Sequence, residues 1–118
     1  MSNESGTATP DLHQLLVKGE QCFTRGAFEE AFKCFSAILE FEPGHSQALN
    51  NLAVLCHHSG DLDRAELFFL RAVALSDDPS DPLLNLSTIA REAGRIKEAT
   101  RYLERCLRLT GETPRLLE

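Results

Sequence analysis

A cysteine followed by two histidines, Cys56-His57-His58, is the run whose residue types most directly suggest chemistry. Thiolate and imidazole are both ligands that zinc prefers. Neighbouring residues on a helix point about 100° apart, so these three side chains cannot converge on one ion without ligands from elsewhere. We therefore expect no metal and no other cofactor at this run.

The four cysteines contain no Cys-x-x-Cys pair, and each falls on or beside the apolar stripe of a predicted helix: Cys22, Cys34, Cys56 and Cys106. We interpret them as buried small hydrophobic side chains rather than disulfides or zinc ligands. Catalytic motifs are also missing from the sequence. No glycine-rich phosphate loop follows a strand, and no serine or cysteine nucleophile has a base placed by a recognisable motif. The sequence predicts that the chain is not an enzyme.

The charge balance argues against nucleic acid as a partner. The chain has 118 residues and a formal net charge of -6, and an acidic excess disfavours phosphate backbones. Arg101, Arg105 and Arg108 form one stripe on the last predicted helix, which we interpret as a solvated face. No apolar stretch approaches the roughly 20 residues that cross a bilayer, and the N-terminus lacks a signal-peptide pattern. We expect no membrane partner and a cytoplasmic location.

A fixed period organises the whole chain. Gly26, Gly60 and Gly94 are 34 residues apart, and an alanine follows each of them five residues later. Aligning the chain on these glycines gives three units without insertion or deletion, at residues 12–45, 46–79 and 80–113. A repeat of this length is one supersecondary unit that buries its apolar face only against its neighbours. The domain is therefore expected at 10–113, after a disordered tail at 1–9.

Each unit has apolar residues at helical spacing on both sides of its glycine, which predicts a helical hairpin. The glycine follows the first helix, where a left-handed residue is needed to end it. Capping signals at Asp11, Ser46 and the two Asp-Pro pairs near Pro79 mark the starts of the first helices. Small residues in two columns of each unit should let the paired helices approach closely. The predicted helices lie near 10–25, 28–41, 46–59, 62–76, 80–93 and 96–110.

The repeat columns resemble the tetratricopeptide repeat, whose pattern is W-x2-L-G-x2-Y…A-x3-F…P over 34 residues. The second unit reads Leu49-x2-Leu52-Ala53-x2-Cys56…Ala65-x3-Phe69 in those columns. The aromatic residues of the first helix are replaced by leucine and by cysteine or alanine, and the closing proline occurs only as Pro43. The resemblance implies an all-α fold, an α-solenoid of three antiparallel helical hairpins coiled into a right-handed superhelix. It also implies a protein-interaction module with a concave groove lined by the first helices.

On helical geometry, the groove face is the side of each first helix opposite its packing stripe. We expect a protein or peptide partner to bind a peptide or helical segment along this face. The predicted partner-binding residues are Leu16, Glu20, Phe23, Asn50, Asn51, Val54, His57, Leu84, Asn85, Thr88 and Arg91. Phe23 could instead pack under the N-terminal segment, and His57 with His58 could be merely solvated.

Asn51 and Asn85 occupy the same column, and their amides would form a two-rung ladder along the groove. In similar superhelices such asparagines hydrogen-bond the backbone of an extended peptide, although asparagine could also simply be common in this column. Related co-chaperones hold the C-terminal carboxylate of heat-shock proteins with lysines, an arginine and asparagines. The matching positions here are Leu16, Glu20, Asn51, Asp81 and Asn85. Only Asn51 fits that pattern, so the resemblance does not extend to an acidic C-terminal tail.

The end of the chain leaves alternatives open. Leu117 falls 34 residues after Leu83, so residues 114–118 could begin a capping helix that is truncated or missing. A second copy could instead cover the uncapped last repeat in a homodimer. The chain could also be a non-catalytic region of a larger enzyme such as a transferase, or a self-associating scaffold that works through its convex face and the arginine stripe.

Overall fold

The computed structural model describes residues 10–111, which fold into six α-helices without a strand among them. The helix bounds lie within two residues of those predicted from the sequence. The predicted tail at 1–9 and the predicted start of a capping helix at 114–118 lie outside the described residues. The six helices are α1 Leu12–Thr24, α2 Phe28–Phe41, α3 Ser46–Ser59, α4 Leu62–Leu75, α5 Ser80–Glu92 and α6 Ile96–Thr110.

Consecutive helices pack against each other along the whole chain. The most extensive contacts lie within the hairpins α1·α2, α3·α4 and α5·α6, and further contacts join α2 to α3 and α4 to α5. The first helices of the last two hairpins, α3 and α5, also touch directly. This arrangement is an all-α helical-repeat solenoid, as the period of the sequence predicts. No helix within residues 10–111 combines the length and apolar character needed to cross a lipid bilayer.

The three glycines that define the period end the first helices. Gly26, Gly60 and Gly94 have φ angles of 84°, 91° and 82°, in the left-handed region where a Cβ atom is unfavourable. Gly60 is the C-cap residue of α3, and its N–H bonds to the His57 carbonyl over 3.1 Å. The predicted conformation of this column is confirmed in all three units.

The small-residue columns bring the two helices of a hairpin close together. A Cβ atom added to Gly19 would lie 2.5 Å from the ring of Phe35, so only glycine fits at this crossing. Ala53, Ala65 and Phe69 are all 0% exposed and lie in one buried cluster. The core is therefore a set of large side chains that interlock around small ones, as expected.

The helix starts agree only partly with the capping residues predicted from the sequence. Asp11 caps α1, since its carboxylate accepts a hydrogen bond from the N–H of Gln14. The prediction for α3 was wrong, because His45 is the cap and Ser46 is the first helical residue. Nδ1 of His45 accepts a hydrogen bond from the N–H of Ala48 over 3.1 Å. An imidazole therefore caps this helix in place of the usual hydroxyl or carboxylate.

Candidate functional site

The site is built from the first helices of the three units, whose polar side chains contact each other from one unit to the next. Three hydrogen bonds cross between them. Nδ2 of Asn51 donates to Oε2 of Glu20 over 3.1 Å, which joins α3 to α1. Nδ2 of Asn85 donates to Oδ1 of Asn50 over 3.3 Å, which joins α5 to α3. These two contacts bring the side chains of Glu20 and Asn51, and of Asn50 and Asn85, within hydrogen-bonding distance across neighbouring units.

The third contact lies at the other end of the same helices. Nε2 of His57 lies 2.8 Å from Oε1 of Glu92, so α3 and α5 are connected near their C-termini as well. His57 is half-buried, whereas the next residue, His58, is exposed. The ring of His58 instead packs 4.6 Å from the Phe28 ring, centroid to centroid. The two histidines therefore have different surroundings, and neither is simply solvated.

The two asparagines of the predicted ladder both reach back toward the preceding unit. Because a carboxylate can only accept hydrogen bonds, Asn51 must turn its NH₂ group toward Glu20, which leaves its carbonyl oxygen as the free acceptor. Asn85 also donates to an oxygen of the preceding first helix. Each asparagine therefore uses one donor within the protein and keeps further hydrogen-bonding capacity for another molecule.

Leu16 does not belong to the exposed face. It is only 5% exposed and lies in the buried cluster that also contains Ala48 and Leu52 of α3. The same cluster contains Ala31 and Ile38 of α2, so Leu16 shares a core with its own hairpin and with the next unit. The prediction that Leu16 contacts a partner is therefore corrected, and Leu16 is a core residue.

Phe23 packs within the described residues as well as facing the groove. Its ring centroid lies 5.4 Å from that of Phe28 and 6.1 Å from that of His58. It is half-buried and lines a cleft together with Val54. Any contact with the predicted N-terminal tail lies outside the described residues. Phe23 therefore lines the cleft while its ring packs against the rings of Phe28 and His58.

Two small clefts lie side by side on this face, and both are lined by Glu20 and Asn51. The first has a volume of about 110 Å³ and a mostly polar lining, namely Glu20, Ser46, Gln47, Asn50, Asn51, Ser76, Asp78, Asp81 and Pro82. The second has a volume of about 140 Å³, and its lining includes Phe23, Phe35 and Val54. The Glu20–Asn51 hydrogen bond thus stands between a polar cleft and a more apolar one.

Ser76 and Asp78 line the polar cleft but were not among the predicted residues, because those were all taken from the first helices. Both residues precede α5, and Asp78 accepts hydrogen bonds from the backbone N–H and the hydroxyl of Ser80 over 3.2 and 2.6 Å. These hydrogen bonds lower the pKa of the Asp78 carboxyl group, which keeps it ionised to more acidic pH. The Asp-Asp-Pro run before α5 was the available signal, but it was interpreted only as a helix start.

The predicted residues of the third unit do not all reach the same cleft. Leu84 is 48% exposed, and Thr88 is half-buried with its hydroxyl donating to the Leu84 carbonyl over 3.2 Å. Arg91 lines a separate depression that also contains Ile96 and Leu103 of α6. Arg91 therefore belongs to the end face of the last hairpin rather than to the two clefts.

The cysteines are placed as predicted and give no sign of chemistry. All four are buried with free thiols, at Cys22, Cys34, Cys56 and Cys106. Burial is the main cause that raises the pKa of the Cys34 and Cys56 thiols, which makes them poorer nucleophiles and metal ligands at neutral pH. Residues 10–111 contain no group of three or more His, Cys, Asp or Glu residues that could hold a metal ion.

Comparisons with protein-family models and with known sequences both identify tetratricopeptide repeats. Sequence models of the tetratricopeptide repeat match residues 16–82 and, separately, residues 83–113. Tetratricopeptide repeat protein 7B of Homo sapiens is 24% identical over 114 residues, which cover 96% of this chain and 14% of the human protein. The chain thus spans about one seventh of the length of that relative.

Solved structures share the fold at low sequence identity. The first TPR of Spaghetti (RPAP3) bound to HSP90 peptide SRMEEVD is 23% identical with a TM-score of 0.76, covering 83% of this chain and 78% of that chain. The second TPR of the same protein, bound to the same peptide, is 20% identical with a TM-score of 0.75, covering 83% and 91%. A chain of the CopN-Scc3 complex is 18% identical with a TM-score of 0.76, covering 91% and 63%.

Proposed function

Because the chain belongs to the tetratricopeptide repeat family, we propose that it is a non-catalytic module that binds a peptide or helical segment of a partner protein across its concave face. The observation that carries this proposal is the row of cross-unit contacts on the first helices. These contacts hold polar side chains in place beside the two clefts. No helix within residues 10–111 fills either cleft. The peptide complexes of the two RPAP3 domains support the same mode of binding.

The chemistry of the rest of the chain supports a protein partner. The net charge of -6 disfavours nucleic acid, and the buried, protonated thiols are unsuited to nucleophilic catalysis. Four buried cysteines without a disulfide between them are compatible with a reducing compartment, and we propose a cytoplasmic location. Residues such as Asn51, Val54 and Asn85 would contact the bound segment directly.

The test begins with peptides that are selected from a displayed random library for binding to the 118-residue protein. Simultaneous Asn51→Ala and Asn85→Ala should weaken binding of a selected peptide about tenfold, because two amide contacts are lost at about 0.5–1.5 kcal/mol each. Fluorescence anisotropy measures the affinity, and circular dichroism checks that the variant stays folded. Lys33→Ala, on the exposed side of α2, is the control and should leave the affinity unchanged. Equal affinities for the double variant and the wild type would contradict the groove model.

A specific observation also favours self-association as a second function. Phe35 and Phe69 are 1% and 0% exposed, whereas Leu103, in the same column of the third unit, is 42% exposed beside an exposed Ile96. The next hairpin covers this column in the first two units, and no element within residues 10–111 covers it in the third. A homodimer through this end face would bury the same apolar side chains.

Sedimentation velocity tests this homodimer. The wild-type chain should show a concentration-dependent dimer, and Leu103→Glu should convert it to a monomer, because a charge in an apolar interface is unfavourable. Leu109→Glu is the matched control, since Leu109 lies on the same helix in a column that is exposed in all three units. A wild-type chain that remains monomeric at high concentration would exclude the dimer.

A further inference from the structure

The polar cleft on the concave face has an unusual balance of charge. Glu20, Asp78 and Asp81 all line it, and no lysine, arginine or histidine is among its lining residues. None of these three carboxylates takes part in a salt bridge within residues 10–111. The carboxyl group of Asp78 is also kept ionised by the hydrogen bonds from Ser80, which lower its pKa. The cleft therefore carries negative charge that the described part of the protein does not neutralise.

The neutral polar groups of the cleft can donate as well as accept hydrogen bonds, whereas its charged groups are all acceptors. The amide of Asn51 spends a donor on Glu20, and Oδ1 of Asn50 receives a donor from Asn85. The oxygen of Asn51 and the remaining lone pairs of the carboxylates are left as acceptors. A ligand group that pairs with the three carboxylates must supply hydrogen-bond donors and positive charge, which is what a lysine or arginine side chain offers.

Apolar surface adjoins the cleft on both sides of the groove. The neighbouring cleft is lined by Phe23, Phe35 and Val54 and shares the Glu20–Asn51 pair as its boundary. Val17 on α1 and Leu84 on α5 are 37% and 48% exposed. A purely polar ligand would leave this apolar surface in water, so the best occupant combines a cation with an apolar side chain.

We propose that the segment bound on the concave face is basic and amphipathic, with a lysine or arginine side chain in the polar cleft and an apolar side chain in the cleft lined by Phe23 and Val54. This inference rests on the proposed peptide-binding function and names the chemistry of its partner. Charge complementarity with Glu20, Asp78 and Asp81 sets the preference, and the adjacent apolar cleft gives the segment a second anchor. An acidic segment such as SRMEEVD would meet carboxylates of its own sign.

Selection from a phage-displayed random heptapeptide library on the intact 118-residue chain tests the preference without knowledge of the natural partner. The expected result is enrichment of peptides that contain lysine or arginine together with a large apolar residue. Enrichment of acidic or uncharged peptides that bind the concave face would overturn this inference and leave the proposed function standing. Enrichment of no peptide at all would overturn both.

Charge-neutral variants then test the site itself with one synthetic selected peptide. Glu20→Gln combined with Asp81→Asn should weaken the affinity about tenfold. The reason is the loss of two partly exposed ion pairs, each of which strengthens binding by up to about fivefold. Glu40→Gln removes one exposed carboxylate from α2, outside both clefts, and should change the affinity less than about twofold. A similar loss in this control would mean that only the overall net charge attracts the peptide.

The salt dependence provides an independent check on the wild-type protein. Raising NaCl from about 50 to about 500 mM shortens the screening length about threefold, so the affinity of the selected peptide should fall. The loss of affinity caused by the added salt should be several-fold smaller for the Glu20→Gln, Asp81→Asn protein than for the wild type. Identical salt dependence in the two proteins would contradict a contact between the cationic side chain and this cleft.

Discussion

At the scale of single residues, Gly60 is required by the backbone and not by packing. Its φ angle is 91°, and a Cβ atom placed on it would meet no heavy atom within 4 Å. Gly60→Ala should therefore lower the free energy of unfolding by about 1–2 kcal/mol through backbone strain alone. Chemical denaturation followed by circular dichroism measures this change.

Gly44→Ala is the matched control for that substitution. An added Cβ at Gly44 would lie 3.7 Å from Cδ1 of Leu75, an ordinary contact, and the backbone there is outside the left-handed region. This substitution should be neutral or slightly stabilising, by up to about 1 kcal/mol. If the two alanine variants had the same stability, the conformational role of the repeated glycine would be refuted.

The residues also show where reasoning from one helix at a time fails. Gly60 and Ala65 were predicted correctly because the same residue occupies their column in all three units, and the cysteines because they lie on or beside apolar stripes. Leu16 was predicted wrongly, since it lies in a core cluster that combines residues of its own hairpin with residues of the next unit. His45 was missed as a cap because an imidazole nitrogen is an uncommon acceptor at that position.

At the scale of elements, the distance between the two helices of a hairpin is set by small side chains. Ala65 is 0% exposed on α4 and shares a buried cluster with Phe69 and Leu86. Ala65→Leu should lower the free energy of unfolding by about 1–3 kcal/mol, because the larger side chain overfills the crossing. Thermal or urea denaturation of the purified variant gives the value.

The same substitution at Ala74 separates overpacking from any general effect of leucine. Ala74 lies on the same helix but is exposed, so Ala74→Leu should change stability by less than about 0.5 kcal/mol. Equal effects at the two positions would show that α3 and α4 do not depend on close approach at Ala65. The contrast therefore tests the packing model at the level of one hairpin.

The helix bounds could be predicted to within two residues because the glycines and the helical spacing of apolar residues recur with the period. The contacts between units could not be predicted in the same way. The sequence placed Glu20 and Asn51 on one face, but only the structure shows that they bond to each other across α1 and α3. This pairing joins side chains that are 31 residues apart, so it depends on how two units pack and not on the pattern within one.

At the scale of the whole molecule, the three units form one solenoid, and the features we assign to binding lie on its first helices and the residues before α5. The acidic cleft spans all three units, since its lining comes from α1, from α3 and from the residues around the start of α5. Ser76 and Asp78 complete it from outside the first helices, which is why the motif alone did not reveal it. The balance of charge in the groove is therefore a property of the assembled repeats.

The location of a bound peptide tests the central claim most directly. Two-dimensional ¹H–¹⁵N NMR of the labelled 118-residue protein, titrated with a selected basic peptide, maps contacts residue by residue. We predict that the largest shift changes fall on α1, α3 and the start of α5, around Glu20, Asn51 and Asp81. Shift changes concentrated instead on the exposed faces of α2, α4 and α6 would contradict binding in the concave groove.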